Sequence, residues 1–314
     1  MEQQELFWFS YSLLNRDGQL SLRNVYYLKY FKMKRNIWFW LAAVLITFAA
    51  VIFQRKTGPT YPKRVNIEID TVSLSMKLPR SHEIDSVLTV TIPGLSWEWT
   101  ARLFHRPYPT DADWSVDPFF PEGDEFIAYF PNISQKAAKL EYYIELSNLA
   151  EGKEISIPDD EPIVIRFKGK VPGWALLPHV LLMFIALIIS NLTGILAVSN
   201  HDKYRFYGKL TLILILVGGL IFGPIVQKFA FDHYWTGFPF GSDLTDNKTL
   251  IMFVFWAIAV ALNYRKGMRW FTIVAALVTI IVYCIPHSLR GSEFDYQAGE
   301  IVTGMVYSLK VWLL

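Results

Sequence analysis

Five apolar stretches, and the long polar interval after the first of them, decide what this chain can fold into. A helix needs roughly 20 apolar residues to cross a hydrocarbon core about 30 Å thick. The runs fall at 36–53 (NIWFWLAAVLITFAAVIF), 174–198, 208–230, 249–264 and 270–285. The last two are short but carry no charge, and Tyr264 and Trp270 stand where interfacial aromatic anchors belong. Composition agrees: 53% of the residues are hydrophobic and 18% charged. Soluble chains carry about 25% charge, so too little polar surface exists here to coat two soluble domains.

Lys and Arg in the short connections set the expected orientation. Lys29, Lys32, Lys34 and Arg35 precede the first run, Lys203, Arg205 and Lys209 follow the second, and Arg265, Lys266 and Arg269 follow the fourth. The third-to-fourth connection sets Asp232, Asp243 and Asp246 against Lys228 and Lys248, and the tail sets Glu293, Asp295 and Glu300 against Arg290 and Lys310. Every base-rich connection therefore falls on one side of five alternating spans. The expectation is an integral protein of the plasma (bacterial inner) membrane, with the N-terminus cytoplasmic and the C-terminus extracytoplasmic. Met33 opens a Lys-Arg pair and an apolar run, the layout of a signal anchor, so it reads as the native start. The other reading of 1–32 is an amphipathic segment on the inner leaflet. The lipid bilayer is the first partner implied. A net charge of +2, gathered on no one segment, points away from nucleic acid.

From Val65 the pattern becomes strand-like. VNIEIDTVSLSMKL, SVLTVTIPG, WEWTARLF, DEFIAYF, KLEYYIEL and PIVIRFKG alternate apolar and polar residues between Gly/Pro/Asp-rich loops. Arg102 and Phe104 on one strand, a loop reaching Trp114, then Gly123-Asp124, Phe126, Pro131 and the strand from Glu141 to Glu145 resemble the immunoglobulin/fibronectin type III-like modules of bacterial envelope proteins. That resemblance, over 65–170, implies an antiparallel sandwich that binds a partner or acts as a spacer. Trp97, Trp99, Trp114, Tyr142 and Tyr143 read as packing residues, and His82 and His105 as surface histidines. The expected fold class is membrane α plus β. It comprises a cytoplasmic segment (1–35), an N-terminal anchor helix (36–53), an Ig-like antiparallel β-sandwich (54–171), a C-terminal four-helix transmembrane bundle (172–288), and an extracytoplasmic or interfacial tail (289–314).

Several chemistries are excluded. A lone cysteine, Cys284, rules out an internal disulfide framework and a Cys-based zinc site. No nucleophile elbow, P-loop or dinucleotide fingerprint occurs. No ionisable side chain falls at mid-span depth, which argues against ion-coupled transport. The topology does bring His179, His233 and His287 to the outer boundary with Asp243, Asp246 and Glu293. That is the donor set of a zinc or non-haem iron site, and two of the histidines would serve a haem. Against it, no tight spacing such as HxxxH exists. Asp246, or else Thr245, reads as the N-cap of the fourth helix, and Asp243 as a turn former at Gly241-Ser242. Gly219 and Gly223 form a GxxxG for close helix contact, within the bundle or across a homodimer, and Pro224 is expected to kink that helix. Two functions compete. One is an accessory or scaffold protein of the envelope membrane that holds a membrane or extracytoplasmic protein partner. The other is a metal-dependent hydrolase or haem/redox protein. A sensor ranks third for want of a cytoplasmic output domain.

Overall fold

The structure is a computed structural model and describes residues 22–69, 72–287 and 291–302. Five helices occur among them: α1 (Leu22–Thr57), α2 (Gly173–Val198), α3 (Tyr204–Phe231), α4 (Leu244–Arg265) and α5 (Arg269–Cys284). Four of these contain stretches long and apolar enough to cross a membrane: Asn36–Thr57 and the whole of α2, α3 and α4. The fifth, α5, is apolar but has only 16 residues.

Between α1 and α2 lie β1 (Lys63–Ile69), β2 (Val72–Leu78), β3 (Ser81–Glu83), β4 (Thr89–Pro93), β5 (Thr100–Pro107), β6 (Ser115–Pro118), β7 (Phe120–Glu122), β8 (Glu125–Tyr129), β9 (Lys139–Asn148), β10 (Lys153–Ile157) and β11 (Ile163–Lys168). The main sheet is built on β9. Strand β5 runs antiparallel along one edge, from Thr100 opposite Ser147 to Pro107 opposite Leu140. The other edge is shared, with β11 pairing residues 139–142 and β10 pairing 144–148. Strands β6 and β3 complete the order, and β3 pairs parallel to β11. Period-two alternation sends Leu140, Tyr142, Ile144 and Leu146 of β9 into the core with Leu103, Ile165, Phe167 and Trp99.

Two further strands, β12 (Glu293–Asp295) and β13 (Glu300–Val302), come after α5 as a hairpin. It returns to the main sheet: Phe294 N–H donates to the Ala137 carbonyl (3.1 Å), Tyr296 Oη donates to the Lys139 carbonyl (2.7 Å), and Lys139 pairs with Glu293.

The expected architecture is therefore corrected. The chain is α+β with apolar helices interleaved with strands, and not an N-terminal anchor, an Ig-like sandwich and a separate C-terminal bundle. The β region divides into a two-stranded, a six-stranded and a three-stranded sheet with one parallel pair. Helix α1 is no isolated anchor. Ala43 and Ala50 are buried in the clusters that hold Leu192 and Leu187 of α2, and Asn191 Nδ2 donates to Thr47 Oγ1 at 2.9 Å. Nor is the segment up to Val302 a free tail, since the hairpin holds it to the main sheet. Residues 303–314 and 1–21 lie outside the described residues.

The few polar side chains in the helices tie them together. Tyr204 Oη donates to Asn263 Oδ1 (3.0 Å), Asn263 Nδ2 to Thr272 Oγ1 (2.9 Å) and Trp256 Nε1 to Thr279 Oγ1 (2.9 Å). Apolar surroundings offer such groups few partners, and these bonds between helices fix the register of neighbours. Pro224 has no N–H to donate, and its ring crowds the carbonyl four residues back. Instead of a simple kink, α3 widens into a π turn over Leu216–Phe222 before resuming at Gly223.

Candidate functional site: a cavity where helices and sheets meet

The ends of the helices that face the sheets converge. Gln54 of α1 donates to the Ile285 carbonyl just past α5 (3.2 Å), Lys248 of α4 donates to the same carbonyl (2.8 Å), and Gly169 N–H after β11 donates to the Ala230 carbonyl of α3 (2.9 Å). Gln54 is neutral, so Lys248 alone brings charge to the negative end of the α5 dipole. These junctions leave a cavity of about 340 Å³. It has the volume of a small-ligand pocket, a class that spans ~300–1,000 Å³.

Its chemistry is graded along the helices. Arg166, Gln227, Asp243, Asp246, Lys248 and His287 line the end nearest the sheets. Met183, Phe184, Gly219 and Met252 line the other. Met183 is the eleventh residue of α2, about 15 Å along the axis at 1.5 Å per residue. The cavity is thus an apolar slot capped by charge.

Each polar residue is placed by an identifiable local cause. His179 faces the π turn, and its Nδ1–H donates to the Gly218 carbonyl (2.8 Å), leaving Nε2 as the ring's acceptor. Asp243, not Asp246 or Thr245, is the N-cap of α4: its Oδ1 accepts from Thr245 N–H (2.7 Å). Its Oδ2 accepts from Ser292 N–H (3.2 Å), so it joins α4 to the returning hairpin rather than shaping the Gly241-Ser242 turn. Asp246 Oδ2 accepts from Thr236 N–H (2.6 Å) and Thr236 Oγ1 (3.2 Å). The connection 232–243 is thereby fastened across the first turn of α4. Arg166, 6% exposed, donates through Nη2 to the Ser292 carbonyl and lies over the Phe231 ring at 4.1 Å. Its Nε is buried without a partner. Desolvation lowers the guanidinium below its ordinary value while Asp243 and Glu293 oppose the shift, and it remains charged. His287 borders the cavity and is an exposed residue. Desolvation by the neighbouring protein, with Lys248 and His179 nearby, holds its imidazole below the usual value, so it is neutral near pH 7.

Of the six candidate ligands, His179, His287, Asp243 and Asp246 share this cavity. His233 does not: it is exposed on the connection after α3, with Nδ1–H donating to the Phe231 carbonyl (3.2 Å). Glu293 is engaged by Lys139. Among the described residues no three His, Cys, Asp or Glu side chains converge to hold a metal ion. Asp243 spends both oxygens on backbone N–H groups, and Asp246 spends Oδ2 on the N–H and hydroxyl of Thr236. Gly219 and Gly223 face neighbours in the same chain, a Cβ on Gly219 falling 2.7 Å from Thr249 Cγ2 and one on Gly223 falling 3.7 Å from His179 Cε1.

Other expectations are corrected locally. His105 is buried at 8% exposure and its Nε2 pairs with Asp117 at 2.8 Å. Trp97 is 73% exposed, against Trp99 and Tyr142 in the core. Arg166, Lys248 and Gln54 escaped sequence reasoning. Arg166 sits in IVIRFK on the face opposite Ile163, Ile165 and Phe167, and distant segments cover it: Phe231 of α3 and the chain at Ser292. Lys248 did carry a signal, being a cation in the first turns of an apolar helix, where the dipole disfavours it. No protein-family model matches this chain, and no curated protein matches it.

Proposed function

We propose that this is an integral membrane protein with five spans, cytoplasmic N-terminus and extracytoplasmic sheets, which binds an amphiphilic ligand in the cavity at its outer boundary. The observation that carries the reading is the cavity's grading, with charged groups at the sheet end and Met183, Phe184 and Met252 further in. An apolar slot closed by Arg166, Lys248 and two aspartates suits a molecule with a hydrocarbon part and a polar head. A water-soluble metabolite would desolvate against methionine and phenylalanine, and a pure hydrocarbon would strand the charges. Large apolar side chains on the outward helix faces, such as Leu45 (69% exposed), Leu181 (58%) and Ile281 (62%), support the bilayer as their solvent. Helix α5 reaches only ~24 Å, so its crossing relies on Tyr264 and Trp270 at the interface and on local bilayer thinning.

The accessory reading rests on a different surface. On the β5–β6–β9 face, Phe104 stacks on Tyr143 (4.7 Å), Trp114 meets Tyr143 edge-on (4.9 Å), and Arg106 lies over Trp114 (4.4 Å). Such aromatic and arginine clusters anchor protein partners.

The cavity reading is tested with a dansyl-labelled fatty alcohol added to the protein in neutral detergent. Saturable, blue-shifted emission that disappears in Val226→Trp, a variant that fills the slot from α3, is the expected result. Emission that rises linearly with probe and is identical in the variant reports micelle partitioning and defeats the reading.

A further inference from the structure

The cavity shares a wall with a second space. Val51, Gln54 and His287 line both it and an open cleft of about 870 Å³ between the end of α1 and the sheets. The cleft is strongly basic. Arg55 comes from α1, Arg64 from β1, Lys77 from β2 and Lys168 from β11, with His82 and His287 at its edges and Glu83 as the one carboxylate among the described residues that line it. Among the described residues, Arg55, Arg64, Lys77 and Lys168 make no side-chain hydrogen bond or ion pair. Elsewhere on the sheets cations are paired, as Lys63 is with Asp160 and Arg102 with Glu145. Four unpaired like charges round one concavity repel each other and lower their energy only when an anion enters.

Their position narrows the anion. Arg55 is in the last turn of α1, a helix with an apolar stretch over Asn36–Thr57, so under the proposed topology the cleft lies at the level of lipid headgroups. Val51, Gln54 and His287 border both spaces, so a molecule reaching past these side chains would set an anionic head in the cleft and a hydrocarbon beside Met183 and Phe184. We infer that the ligand is an anionic phospho-amphiphile, whose phosphate head is held by Arg55, Arg64, Lys77 and Lys168 and whose hydrocarbon enters the cavity between α2, α3 and α4. This rests on the amphiphile reading and adds the charge and place of the head. Guanidinium groups give the phosphate paired N–H donors, and the lysines add point charge.

The experiment is displacement of the dansyl fatty alcohol from the full chain by three soluble probes: dihexanoyl phosphatidate, dihexanoylglycerol and inorganic phosphate. Dihexanoyl phosphatidate is expected to displace it at the lowest concentration, with dihexanoylglycerol far weaker and phosphate alone ineffective. Cations near a membrane surface contribute about 1 kcal/mol each, so Arg64→Gln with Lys77→Gln should weaken the phosphatidate roughly thirtyfold and leave dihexanoylglycerol unchanged. Both side chains are exposed, so the double variant keeps its fold, which an unchanged melting temperature verifies. Equal potency of phosphatidate and dihexanoylglycerol overturns the inference and leaves the amphiphile reading standing. Displacement by phosphate alone, at the phosphatidate's concentration, overturns the joint site in favour of a free-anion site. Failure of every probe to bind, the fluorescent one included, defeats both.

Discussion

Asp246 fastens the connection 232–243 to α4, and its carboxylate has two donors at once, Thr236 N–H and Thr236 Oγ1. Removing it in Asp246→Ala leaves a buried N–H unsatisfied, which costs about 1–3 kcal/mol. Asp246→Asn keeps one oxygen as acceptor and should lose less. The expected outcome is a lower melting temperature for the alanine variant, with faster proteolysis between His233 and Ser242 and an intermediate asparagine variant. Equal melting of wild type and Asp246→Ala would remove Asp246 from this role. The same bonds explain why a metal reading is natural from sequence yet does not emerge from the geometry. An aspartate in the first turn of a helix looks identical in sequence whether it caps, ties a loop or binds an ion. Only the position of Thr236, ten residues earlier, decides among these.

Helix α3 holds the most demanding packing. Its π turn brings Gly219 against α4, where a Cβ would stand 2.7 Å from Thr249 Cγ2, too close for either atom to keep its place. Gly219→Ala should therefore destabilise the protein by about 1–3 kcal/mol, as overpacked cores do. Adding Thr249→Ser removes the opposing methyl group and should restore most of the loss, a non-additive pair measured by a double-mutant cycle. Strict additivity would show that the two residues do not touch. The helices were legible because long uncharged apolar runs leave little alternative, and Pro224 marked the irregularity in α3. Its form as a π turn, rather than a kink, depends on the carbonyl of Gly218 finding His179, a partner 39 residues away. The strands were legible by alternation, but their assembly was not. The shared edge of β9, divided between β10 and β11, and the parallel β3–β11 pair leave no local mark. Neither does β12–β13, whose sequence EFD and EIV is too short to distinguish from tail.

At the scale of the molecule, helices and sheets are one unit: α1 packs within the helices, and the hairpin after α5 returns to β9. The orientation proposed for the bilayer follows from Lys203, Arg205 and Lys209 after α2 and Arg265, Lys266 and Arg269 at and just after the end of α4, at the ends of the helices away from the sheets. Starting from Cys284→Ser, single cysteines at Leu149 and Phe240 should react with a membrane-impermeant maleimide on intact cells, and those at Asn200 and Lys266 only after lysis. The reverse pattern would invert the protein and move the basic cleft to the cytoplasmic leaflet. The cavity and cleft themselves were hidden from sequence because their walls come from α1, β1, β2, β11 and all four later helices, and each supplies only a scattered handful of residues. Native mass spectrometry of the protein, released from its own membrane in mild detergent, tests the binding claim most directly. The expected spectrum shows one bound amphiphile of a single mass class per chain, retained at collision energies that strip detergent and absent from Val226→Trp. A bare chain at every collision energy, or the same adducts on wild type and variant, would contradict it.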